Sequence, residues 1–146
     1  MNKKKIAVLL PYKDHFTNSN AGSASIWVKD FNKNSKYKNQ LVIFGNTPYL
    51  NDLIDKKRYK NLYLDKFNIK GKNAAYVELF KKQNLINKYK IIEIHNRPSY
   101  VAQILNSSSN SKLVLIFHNN PITLKGSKTH SEREFLLKKC DKLVFV

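Results

Sequence analysis

Two short stretches carry the residues best suited to chemistry. Ile91-Ile92-Glu93-Ile94 runs into His95-Asn96-Arg97-Pro98, and Leu113-Val114-Leu115-Ile116-Phe117 runs into His118-Asn119-Asn120-Pro121. In both, an apolar run ends abruptly in His-Asn. A neutral imidazole can accept or donate a proton, or hydrogen-bond a hydroxyl. The amides of Asn96 and Asn119 suit sugar hydroxyls, and the Arg97 guanidinium presents a fork for phosphate or carboxylate. The repeated pattern predicts that His95 and His118 share one site.

Other chemistries fit less well. Glu93 has the parity of His95 on its strand but sits one pleat inward, and no third ligand stands at a recognisable spacing, so no metal is expected. The chain has no G-x-S-x-G elbow and no P-loop. Its single cysteine, Cys140, excludes an intramolecular disulfide and a Cys-based zinc site, which suits a reducing compartment and points to the cytoplasm.

The elements that position these residues follow from the hydrophobic pattern. Lys5 to Pro11 reads as a strand buried on both faces and central in its sheet. Ala21, Gly22 and Ser23 open a helix through Phe31 and are expected to leave its backbone N–H groups uncovered, and such bare amides attract anions; an ordinary N-cap and tight turn is the competing reading. Only one glycine is present there, so this is not the dinucleotide fingerprint. Gln40 to Gly45 is a second strand, Leu62-Tyr63-Leu64 a weaker one, and Lys56 to Lys60 a solvated basic surface. A helix is expected over 72–88 with Asn73 as its N-cap, and Pro98 falls in the first turn of the helix carrying Val101, Ala102, Ile104 and Leu105. Residues 106–111 and 121–128 are loops by composition. Thr129-His130-Ser131-Glu132 matches a capping box, Cys140-Asp141 closes that helix, and 142–146 begins another buried strand.

Strands alternating with helices predict an α/β, Rossmann-like, doubly wound parallel sheet forming one domain over residues 1–146. Ligands bind such sheets at the carboxyl ends of the strands, which places His95, Asn96, His118, Asn119 and the Gly22 helix start on one rim. The sequence stops inside an apolar strand, and the expectation is a truncated chain lacking a partner element.

The formal charge of +17 invites an anionic partner. Yet 24 of the 27 cationic residues are lysines scattered along the chain, the pattern an AT-rich genome imposes on surface positions. Specific nucleic-acid binding is therefore not expected; peripheral attraction to an anionic membrane is the better reading. The apolar run after Lys3-Lys4-Lys5 ends at Pro11, short of the roughly 7–15 residues of a signal-peptide core. No run approaches the roughly 18 apolar residues of a membrane span.

Taken in order, Lys5-Ile6-Ala7-Val8-Leu9-Leu10-Pro11, the loop Asn20-Ala21-Gly22-Ser23, Ile94-His95-Asn96-Arg97-Pro98, Phe117-His118-Asn119, and Glu132-Arg133 through Cys140 to Val146 resemble the amino-terminal domain of family-four glycosyltransferases. These enzymes have the two-domain GT-B architecture, and bacterial ones build lipopolysaccharide or capsular glycans. The resemblance covers essentially the whole chain. It implies transfer of a sugar from a nucleotide-sugar donor to a glycan or lipid-linked acceptor, without a bound metal or other cofactor. It assigns His118 to the donor sugar, Gly22 and Ser23 to the donor diphosphate, and His95-Asn96-Arg97 to the acceptor side. Ala21 stands where the family commonly has a first glycine. The carboxyl-terminal domain that holds the nucleotide lies outside this sequence, so the 146 residues alone are expected to be inactive. The competing readings are a non-enzymatic Rossmann-like module that holds an anionic partner on its basic surface, and an unrelated doubly wound enzyme acting on a phosphorylated small molecule.

Overall fold

A computed structural model describes residues 5–64 and 71–146. Among them, six strands form one all-parallel sheet: β1 (Ile6–Leu9), β2 (Leu41–Gly45), β3 (Tyr59–Asn61), β4 (Ile91–His95), β5 (Lys112–Phe117) and β6 (Lys142–Phe145). Their spatial order is β3-β2-β1-β4-β5-β6. The helices are α1 (Ser23–Asn34), α2 (Lys72–Asn87), α3 (Ser99–Ile104) and α4 (His130–Lys139). This is the Rossmann-like doubly wound arrangement, and the chain reverses its direction of travel across the sheet at β1, beside β4.

Strand alternation divides the core in two. Ala7, Leu9, Val42, Phe44, Ile92, Ile94, Leu113, Leu115 and Phe117 pack with Tyr76, Phe80, Tyr100, Val101, Ile104 and Leu136, so α2, α3 and α4 cover one face. Ile6, Val8, Leu41 and Ile43 pack with Ala24 and Val28, so α1 lies on the other. His95 and His118 have the parity of the α1 face. α2 is pinned to the sheet by Tyr76, whose buried hydroxyl donates to the Leu10 and Phe44 carbonyls at 2.9 and 3.2 Å.

Several sequence expectations shift. The edge strand lies at Tyr59–Asn61 and not at Leu62–Leu64. Tyr59 is the anchor: its ring stacks on Phe16 with centroids 5.9 Å apart, while Tyr63 is exposed. The basic segment thus contributes two ladder residues, Tyr59 and Lys60, as well as a solvated surface. Asn73 does not cap α2; Gly71 occupies that position at φ 79°, and the Asn73 Oδ1 accepts from the Tyr100 hydroxyl at 2.8 Å. Pro98 caps α3, and Leu105 belongs to the 3-10 turn that follows it. β6 is only partly buried: Leu143 packs against the core, while Phe145 and Val146 are exposed. The capping box at Thr129 and Glu132 is present with both of its bonds. Gly126, at φ 95°, lets its loop rest on α3, where a Cβ would meet the Ser99 backbone nitrogen at 2.5 Å.

Candidate functional site

The parallel register pairs His95 with Ile116, which brings His118, just past the end of β5, beside His95 at the end of β4. The His95 Nδ1 and His118 Nε2 are 3.0 Å apart, and the rings meet edge to edge and nearly coplanar, with centroids 5.3 Å apart and 19° between planes. His95 is fully buried and His118 is partly exposed. Trp27 of α1 covers both, with its centroid 5.5 Å from the His95 ring and 5.8 Å from the His118 ring. Phe31, one helical turn on, stacks on the indole at 4.9 Å. Ser23, Ile26, Trp27, Asp30 and Phe31 of α1 form a groove of about 500 Å³ with His118 and Val146.

The two asparagines bind each other. The Asn96 Nδ2 donates to the Asn119 Oδ1 at 3.0 Å, and the Asn96 Oδ1 accepts from the His118 backbone N–H at 3.3 Å. Asn96 lies in the left-handed region at φ 52°, a conformation its short polar side chain tolerates better than most. The pair therefore clasps the ends of β4 and β5, and Asn96 is largely buried. Its first role is to aim His118.

The kink at Asn96 sends Arg97 elsewhere. The Arg97 guanidinium donates to the Asn96 carbonyl at 2.8 Å and lines a separate cleft of about 400 Å³, beside α2 and α3. Lys72, Asn73, Tyr100, Gln103 and Lys125 share that cleft, and no carboxylate among the described residues lines it. The rim is thus divided, with His118 and Ser23 in the α1 groove, His95 buried behind His118, and Arg97 in a basic cleft.

At the start of α1 the amides are not bare. The Asp14 carboxylate accepts from the backbone N–H groups of Gly22, Ala24 and Ser25 at 3.2, 3.1 and 3.3 Å. The helix end already holds an anion, supplied by the loop after β1. Gly22 gives that contact room: a Cβ there would lie 2.5 Å from the Asp14 Oδ2, and the carboxylate would have to shift. The expectation that Gly22 leaves room for a phosphate on open amides is corrected by the carboxylate that fills the position.

Burial, with the neighbouring His95 adding to it and Asp14 opposing, lowers the pKa of His118 to about 4. His118 is therefore neutral in the resting protein near pH 7, with one ring nitrogen able to accept a hydrogen bond. The linked stability has a definite sign. A histidine whose folded pKa lies below its unfolded value stabilises the fold fully above about pH 6.5, and loses that contribution as pH falls towards about 4. Unfolding followed from pH 7.5 to 4 should show this loss, and His118→Gln should flatten the profile by about 1 kcal/mol over the window, discounted for the ring's partial exposure. A profile unchanged by the substitution would assign the slope to other groups.

Among the described residues, no group of three His, Cys, Asp or Glu side chains is arranged to hold a metal ion, and no helix is long and apolar enough to cross a membrane. Burial raises the pKa of the Cys140 thiol to about 11, so it is a poor nucleophile. Asp14 and Trp27 were not singled out from sequence. The signal for Asp14 was a carboxylate in the loop before a helix start that lacks its own Ser, Thr, Asp or Asn cap; the signal for Trp27 was the sole tryptophan of the chain, on a helix following the first strand. No family model matches the chain, and no curated protein matches it.

Proposed function

We propose that residues 1–146 form the acceptor-side domain of a glycosyltransferase that moves a sugar from a nucleotide-sugar donor to a glycan or lipid-linked acceptor. The observation that carries this reading is the His95–His118 pair under Trp27, which opens at the carboxyl rim of the sheet into the α1 groove. A concave site with an aromatic wall and few polar groups suits a sugar ring, whose apolar face packs while its hydroxyls find partners. His118, neutral near pH 7, can take the hydrogen of a hydroxyl.

The Asp14 cap shapes the proposal. Because that carboxylate holds the α1 amides, the donor diphosphate is better placed away from Gly22, and the wider rim and a second domain would carry its charge. The Arg97 cleft, with Lys72 and Lys125, suits the phosphate of a lipid-linked acceptor. The scattered surface lysines then favour peripheral contact with an anionic membrane, where such acceptors reside.

The test is transfer by the protein at its native length, with a panel of nucleotide-sugars and acceptor extracts, read by mass of the product. Transfer from at least one donor supports the reading. Absence of turnover and of nucleotide-sugar binding, together with salt-sensitive binding to anionic vesicles that Lys→Gln substitutions remove, would favour the non-enzymatic module.

A further inference from the structure

Beneath α1 a third group aligns with the two histidines. The Glu93 Oε2 lies 3.9 Å from the His95 Nε2, on the side of the ring opposite His118. That Nε2 has no hydrogen-bond partner, although His95 is fully buried. Glu93 itself is partly exposed and opens into a second groove of about 420 Å³, lined by Lys5, Phe31, Tyr37 and Lys90 among others. Glu93, His95 and His118 therefore form a continuous file from one groove to the other, roofed by Trp27 and Phe31.

We propose that Glu93 is the positioning residue of a Glu93–His95–His118 triad, fixing both rings so that the His118 Nδ1 faces the α1 groove as a hydrogen-bond acceptor for a ligand hydroxyl. Between the rings, one of two nitrogens carries the hydrogen: the His95 Nδ1 or the His118 Nε2. In the first case the His95 Nε2 is a lone pair aimed at a carboxylate oxygen, two acceptors facing each other in a dry place. In the second case the His95 Nε2 is an N–H aimed at that oxygen, beyond hydrogen-bond length but attractive. The carboxylate selects the second case. The His118 Nε2–H then donates to the His95 Nδ1, and the nitrogen left for the groove, the His118 Nδ1, is a lone pair. A carboxylate that acts on the outer ring only by setting the tautomer of the inner one uses the logic of a catalytic triad, with one more imidazole interposed.

The α1 groove accordingly takes a ligand that donates a hydroxyl hydrogen to His118, such as a polyol or sugar. This last step rests on the transferase reading but departs from the donor-sugar contact that the family resemblance assigns to His118: the hydroxyl at His118 is taken as the acceptor nucleophile. As its oxygen bonds to the sugar carbon and the nucleotide leaves with the bonding electron pair, the hydroxyl proton passes to the His118 Nδ1. Glu93 then faces the developing positive charge across His95.

Long-range proton–nitrogen NMR on ¹⁵N-labelled protein near pH 7 tests the hydrogen placement without any substrate, so its outcome is separable from that of the transferase reading. The expected result is Nε2–H on both rings in the wild type. Glu93→Asp, which keeps the carboxylate, should preserve that pattern. Glu93→Gln can offer an N–H to the His95 Nε2 and should move both hydrogens to Nδ1. A wild-type His118 bearing Nδ1–H would overturn the proposal even if both variants fail to fold, and so would folded Glu93→Gln protein with unchanged tautomers. Where transfer is measurable, Glu93→Gln should lower kcat about tenfold or more, with the donor KM held within about twofold and with recovery in Glu93→Asp. A donor KM that rises with kcat unchanged would place Glu93 in binding and overturn its positioning role.

Discussion

Asp14→Ala is expected to lower the free energy of unfolding by about 3 kcal/mol, an unusually large effect for one loop residue. Its two oxygens accept from three backbone N–H groups at the start of α1, and Ala24 and Ser25 are buried. Loss of an ordinary N-cap costs about 0.5–2 kcal/mol, and each buried donor left without a partner costs about 1–3 kcal/mol. These terms are not additive, because Gly22 and Ser23 lie nearer to solvent and water can reach part of the helix end. Asp14→Asn, which keeps one acceptor oxygen, should cost roughly half as much. Urea unfolding with an unchanged m-value checks both variants. A loss below about 1 kcal/mol for Asp14→Ala would mean that water replaces the carboxylate almost completely.

The same substitution separates two accounts of Gly22. If the glycine serves the Asp14 contact, then removing the carboxylate leaves a helix end with free amides and room beside it, and sulfate should raise the melting temperature of Asp14→Ala more than that of the wild type. Equal sulfate responses would indicate that the helix end does not take an external anion even when uncovered. Either result bears on where an external anion could bind, since none can use these amides while Asp14 holds them.

How much of this could be read in advance depended on whether the determining contacts were local. β1 and β2 are apolar runs buried along their whole length, and β4 and β5 are mostly apolar, so these strands need little tertiary information to be recognised. The histidine pair was legible for a related reason: both residues end such runs, and in adjacent parallel strands residues at the carboxyl ends are neighbours. β3 was misplaced because one buried ring, Tyr59, anchors a three-residue edge strand amid lysines, and its partner Phe16 is remote in sequence. The Asp14 cap escaped notice for the same physical reason, since its acceptor comes from a preceding loop instead of the helix's own first residues. Arg97 directly follows Asn96, but the left-handed turn at Asn96 sends it to a different cleft, and strand parity says nothing about residues beyond the strand.

His118→Ala should reduce sugar transfer by about 100-fold or more while leaving the fold intact, if the acceptor-side reading holds. The ring is half-buried at the mouth of the groove, and its backbone N–H is held by Asn96 whatever the side chain, so truncation removes the nitrogen facing the ligand without opening the sheet. Its loss should fall mainly on kcat, because a hydroxyl gains most from a hydrogen-bond acceptor as its proton leaves. His118→Gln offers an amide oxygen near the former Nδ1, which can accept the hydrogen bond but is a far weaker proton acceptor. It should restore ligand affinity more than turnover. A His118→Ala protein with undiminished kcat would exclude the ring from the chemistry. An equal loss of affinity and no change in turnover on the bound state would make His118 a binding contact alone, and the His95–His118 pair would then be a structural clasp of the two strand ends beside Asn96 and Asn119.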